Sequence, residues 1–166
     1  MSQPDLSILL SLIDQAFDHK SWHGTNLNGS IRGLNAVDAA WRPSPTRHNI
    51  WEIVVHAAYW KYVVRRRLLE EPRGSFPLKG SNWFVRPNDN DDENEAAWKA
   101  DVVLLKRTHK SLRDAVAELR SDDLRYKPAD SKVSNLELIT GIASHDLYHA
   151  GQIQLLKRLQ AKGNGE

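Results

Sequence analysis

Ser144-His145-Asp146-Leu147-Tyr148-His149-Ala150-Gly151-Gln152-Ile153 carries two histidines four residues apart. On a helix that spacing puts both side chains on one face, one turn apart. They share the face with Ile142 and Ile153, where apolar side chains would ordinarily sit. Two imidazoles beside a core are costly unless they share a partner. Upstream, Asn49-Ile50-Trp51-Glu52-Ile53-Val54-Val55-His56-Ala57-Ala58-Tyr59-Trp60 puts His56 on the apolar stripe of a second helix. Three imidazoles converging from two helices would form a tripodal metal site with open coordination positions.

Outward from these stretches, periodicity predicts four helices. The first spans 5–19, with Leu6, Leu9, Leu10, Ile13 and Phe17 on one face. Residues 21–47 read as mostly irregular, with one short helical turn around Asp38–Trp41. The second helix begins at Asn49, where Asn49 and Glu52 have capping-box spacing, and stops before Pro72 and Gly74. A long ordered loop follows over 72–92, around Trp83 and Phe84; loops of this length are often functional. The third helix runs from near Asp92 to about Arg120. The fourth opens with Ser134 and Glu137, a second capping box, and frays at Gly163. The expectation is an all-α four-helix bundle with long connections, one domain over 1–166.

Composition narrows the class. With 40% hydrophobic and 27% charged residues the chain can build a core and is not broadly disordered. No apolar run reaches the length of a membrane span. The N-terminus lacks the features of a signal peptide, so a cytoplasmic location is expected. Cysteine is absent, which excludes disulfides, thiolate metal ligands and a protein-borne thiol nucleophile. A net charge of +2 argues against nucleic-acid binding. The run Arg65–Arg67, with Lys61 nearby, reads as a solvated helix end complementing the helix dipole. The acidic run Asp89–Glu95 fails as a calcium loop, because Asn94 and Ala100 stand where glycine and glutamate are required.

Other residues invite roles. Asp146 could orient an imidazole from behind, against the reading of a solvated or salt-bridged aspartate. His109, on the inward face of the third helix, could be a fourth ligand or an acid/base, against a core or boundary histidine, and His23 could line the mouth of the site. Trp60, Trp83 and Phe84 could wall a pocket, Trp83 foremost because it lies in a loop. His19 and His48 read as ordinary surface or turn residues. Gly141 and Gly151, flanking the histidine pair inside a helix, suggest space for a neighbouring helix or a ligand.

The stretch His145 to Arg158, preceded by a helix carrying Val54-Val55-His56-Ala57-Ala58-Tyr59-Trp60, resembles the DinB/YfiT-like superfamily. Ser21-Trp22-His23-Gly24 and Asn82-Trp83-Phe84 are similar to features of the same group. The resemblance implies a four-helix bundle with a divalent metal held by His56, His145 and His149. Zinc or nickel is the expected ion, with iron or manganese as alternatives. It further implies a thiol-dependent S-transferase acting on small electrophiles with a low-molecular-weight thiol such as bacillithiol or mycothiol. The alternatives are a metal-dependent hydrolase and a non-catalytic metal-binding stress protein. Homodimers are frequent in the group.

Overall fold

A computed structural model describes residues 4–87, 94–129 and 131–163. Its elements are α1 (Pro4–Phe17), α2 (Leu27–Ser30), α3 (Ala36–Ala40), α4 (Ile50–Leu68), α5 (Asn94–Ala117), a 3-10 turn (Ser121–Arg125) and α6 (Asn135–Gly163). No strand occurs among the described residues. The four long helices are those expected. Their ends differ by a few residues, as helix ends commonly do. The expected start of the third helix near Asp92, and most of the acidic run, lie outside the described residues.

Two short helices subdivide the stretch read as mostly irregular: α3 lies at the turn expected around Asp38–Trp41, and α2 is additional. Asn26 caps α2 and Asn35 caps α3, each side chain accepting a backbone N–H of the first turn. Asn49 caps α4 through Glu52 N at 2.8 Å. The expected reciprocal bond from Glu52 is replaced, because its buried carboxylate binds Arg42, His48 and Arg86 N instead. Ser134 and Glu137 form the expected box in full.

α1 packs on α5 and α6, and α4 packs on the same two helices. Of the four long helices, α1 and α4, with α2 and α3 between them in the chain, therefore sit across the bundle, and so do α5 and α6. Long connections join both of these pairs. Arg113 ties α5 to α1 with two bonds to Asp14, at 2.7 and 2.9 Å.

The core has two apolar clusters. One gathers Phe17, Trp51, Val54, Leu105 and Ile153. The other gathers Ile13, Val64, Leu112, Val116 and Ile139. In α4, α5 and α6 the buried residues Lys61, His109 and Asp146 fall in sequence between the members of the two clusters. The arginine run beside Lys61 was expected to be solvated. Instead Lys61 is 1% exposed and Arg66 6% exposed. Both lie on a helix that buries most of its circumference, and a stripe pattern cannot show that.

Candidate metal centre

His56 on α4 and His145 and His149 on α6 converge at one point. His56 Nε2 lies 3.1 Å from His145 Nε2, which lies 3.0 Å from His149 Nε2. The α4–α6 contact supplies the convergence, and the one-turn spacing in α6 supplies the pair. Among the described residues this is the group of His, Asp and Glu side chains that could hold a metal ion.

The far sides of two of the rings are held as well, while His145 Nδ1 has no partner among the described residues. His56 Nδ1–H donates to the Asn82 carbonyl at 2.8 Å, and His149 Nδ1–H donates to Gln152 Oε1 at 2.7 Å. These bonds select the tautomer whose Nε2 carries a lone pair. A neutral His145 has one N–H and can donate to only one of its two close neighbours. At least one close nitrogen pair is then left without a hydrogen bond between its members. With His145 in its Nδ1–H tautomer, a cation between the three rings would be met by all three Nε2 lone pairs. With metal–nitrogen bonds of about 2.1 Å, two ligands at right angles sit about 3.0 Å apart. The donor set therefore fits a divalent ion.

Burial keeps these rings neutral. Desolvation lowers His145 to about 3, assisted by the nearby His149, His56 and Lys61. Desolvation lowers His149 to about 4, against the bond to Gln152. It lowers His56 too, against the bond to Asn82. Neutral imidazole is the form that binds metal.

The 72–87 loop braces the site. Asn82 has φ 65°, a left-handed conformation that asparagine tolerates, and its side chain accepts from Trp60 Nε1 at 2.9 Å. Trp83 stacks between two imidazoles, 3.8 Å from His56 and 3.7 Å from His48. His48, expected to be an ordinary surface residue, thus supports the site at one remove. It also binds Glu52 at 2.8 Å. Burial works to raise the Glu52 carboxyl, but bonds from Arg42, His48 and Arg86 N outweigh it and hold it low. Trp60 faces His56 and His145 edge-on, at 6.4 Å each. Phe84 belongs to the core.

The remaining candidates resolve differently. Asp146 orients no imidazole; it takes the salt-bridged alternative, buried against Lys61 Nζ. His109 is no fourth ligand; it stacks on Phe17 at 3.7 Å, with Lys61 Nζ over the same Phe17 ring at 4.9 Å. Burial, with Lys61 and Arg113, lowers His109 to about 2. His23 is exposed and makes no contact with the three rings. Gly141 and Gly151 face open space, so no close helix of this chain explains them. The residues missed in the sequence are Asn82, Gln152 and His48. Gln152 could have been found from its position one turn beyond His149. Asn82 reaches His56 across 26 residues, and no local signal announces it.

The fold and site define a helical bundle with a three-histidine centre able to hold a metal. The sequence model of the DinB superfamily matches residues 21–153, and the chain belongs to that superfamily. No curated protein and no solved structure matches it.

Proposed function

We propose that this chain is a metal-dependent transferase that joins a low-molecular-weight thiol to small electrophiles in the cytoplasm. His56, His145 and His149 would hold the ion, zinc or nickel before iron or manganese. The carrying observation is the convergence of three neutral Nε2 atoms, two of them fixed in the ligating tautomer from behind. A divalent ion on three neutral ligands keeps its full charge and favours the ionised form of a thiol or water beside it. The chain's own part is positional. Asn82 and Gln152 fix two rings, and Trp83 restricts rotation of His56. The chain has no cysteine, so the thiol must come from a co-substrate. Membership in a superfamily that commonly binds metal supports the reading. No described helix is long and apolar enough to cross a membrane. A homodimer is part of the proposal.

Elemental analysis of wild type beside His56→Ala and His149→Ala tests the site. About one ion per chain, lost in both variants, supports it. Wild-type protein that stays metal-free after incubation with zinc and nickel sinks it. Turnover of electrophiles only with added thiol supports transfer. Thiol-independent turnover makes the protein a hydrolase. A lowered melting temperature in His149→Ala, without any turnover by wild type, makes the site structural.

A further inference from the structure

Beside the metal centre, between α4 and the 73–82 loop, lies a cleft of about 780 Å³, within the size range of small-molecule sites. Its charged lining is all of one sign: Arg66, Arg67, Arg73 and Lys79, with no acidic side chain. Its flat apolar walls come from Tyr59, Trp60 and Phe76.

The walls are built rather than draped. Tyr62 Oη accepts from Gly74 N at 3.2 Å and from Ser75 N at 3.3 Å, pinning the start of the loop. Phe76 packs edge-on against Tyr59 at 5.2 Å. At the other end Trp60 Nε1 donates to Asn82 Oδ1, and the carbonyl of the same Asn82 holds His56. Trp60 and Asn82 are therefore shared by the cleft and the metal centre.

The cations differ in their commitments. Arg66 is buried and donates to the Glu71 carbonyl at 2.8 Å. Arg73 and Lys79 are exposed and make no hydrogen bond or ion pair among the described residues. Two cations without a partner among the described residues, over aromatic walls and with no acidic side chain in the described lining, suit an anion carried on a flat apolar body. A cleft lined by one sign of charge also concentrates ligands of the opposite sign.

We propose that this cleft binds a small organic anion, a carboxylate on a flat apolar body, and that Arg73 and Lys79 select its charge. Its role as the substrate site of the metal centre rests on the catalytic reading above; the binding itself does not.

The test is calorimetric titration of the full chain, metal-loaded and metal-free, with three probes sharing one ring system: 1-naphthoate, 1-naphthalenemethanol and 1-naphthylmethylammonium. Naphthoate should bind about tenfold more tightly than the neutral alcohol, and the ammonium more weakly still, in both forms of the protein. The Arg73→Glu/Lys79→Glu double variant should lose that preference while keeping its metal content. Phe76→Ala should weaken naphthoate and the alcohol together. Raising salt should weaken naphthoate in wild type and leave the alcohol unchanged, a check that needs no variant. Equal affinity for the three probes overturns the proposal. So does a preference that survives the double variant, or one seen only in metal-loaded protein, where the carboxylate would sit on the ion. Failure of metal loading leaves the metal-free titrations as a separate result, so the two proposals fail independently.

Discussion

His145 and Asp146 are neighbours in α6 and serve two different buried polar groups. His145 brings its Nε2 to within 3.1 and 3.0 Å of two other imidazole nitrogens. Asp146 meets Lys61 Nζ, a group of opposite charge, with both side chains 1% exposed. The first group sets acceptor beside acceptor. The second sets donor against acceptor and can stand without a ligand. Burial still works against charge in the second, lowering Lys61 and raising Asp146, while their contact opposes both shifts. One helix thus carries a cluster of acceptors able to hold a cation next to an ion pair whose charges cancel, with Asp146 Oδ1 left without a hydrogen-bond partner among the described residues. The difference lies in which partner α4 offers: His56 to one and Lys61, five residues on, to the other.

The largest way to break this contrast is to remove one side of the pair. Lys61→Met should destabilise the protein by about 3–5 kcal/mol, because it strands a buried carboxylate. Lys61→Met with Asp146→Leu should recover most of that loss in urea unfolding. A double variant as unstable as the single would mean that the pair is not the self-contained unit described here.

The metal group should respond in the opposite manner. Gln152→Leu removes the acceptor behind His149 without opening the core. Zinc affinity should fall about 10–100-fold, with unfolding by urea nearly unchanged. A stability loss without an affinity loss would assign Gln152 to the fold instead.

His109, packed beside Lys61 and far from ligation, sharpens the comparison through pH. Its folded value, about 2, lies below the ordinary histidine value, so the unfolded chain binds its proton first. The stability it contributes is complete above about pH 6.5 and is lost as pH falls toward its folded value. Metal-free His109→Phe should therefore show a flatter fall in melting temperature between about pH 6.5 and 4. Some slope should remain, since His145 and His149 are lowered as well. A slope equal to that of wild type would show that His109 is not held neutral.

The smallest effect belongs to the exposed side of α6. Gly141→Ala and Gly151→Ala should each stabilise by about 0.5–1 kcal/mol, since both positions face open space within a helix. Destabilisation at Gly151 would show that something outside this chain covers that face.

Much of this could be read along the chain. Leu9, Ile13 and Phe17, or Leu105, Leu112 and Val116, announce their helices because burial recurs with the helical period. The three histidines stood out because polar side chains occupied apolar positions. The same logic should have flagged Lys61, which also lies among buried positions of α4. It was hidden by the arginines that follow, since a charge run ordinarily reads as a solvated face. Asp146 was left open between two readings for a related reason: adjacency to His145 in sequence suggested a shared function, and only packing shows the salt bridge. Successive helical residues point about 100° apart, so neighbours in sequence need not share a partner.

The sequence by itself determined four amphipathic helices, two of their caps, the absence of thiol ligands and the identity of the three converging histidines. These properties are local: each depends on period, spacing or composition within one segment. Only the tertiary structure decided which carbonyl holds His56, which ring supports Trp83, that Lys61 and Asp146 pair, and that a cationic cleft shares a wall with the three-histidine cluster. Each of those depends on how α4, α6 and the 72–87 loop are placed against one another. That placement is set by the packing of whole faces, not by the spacing of residues along any one of them.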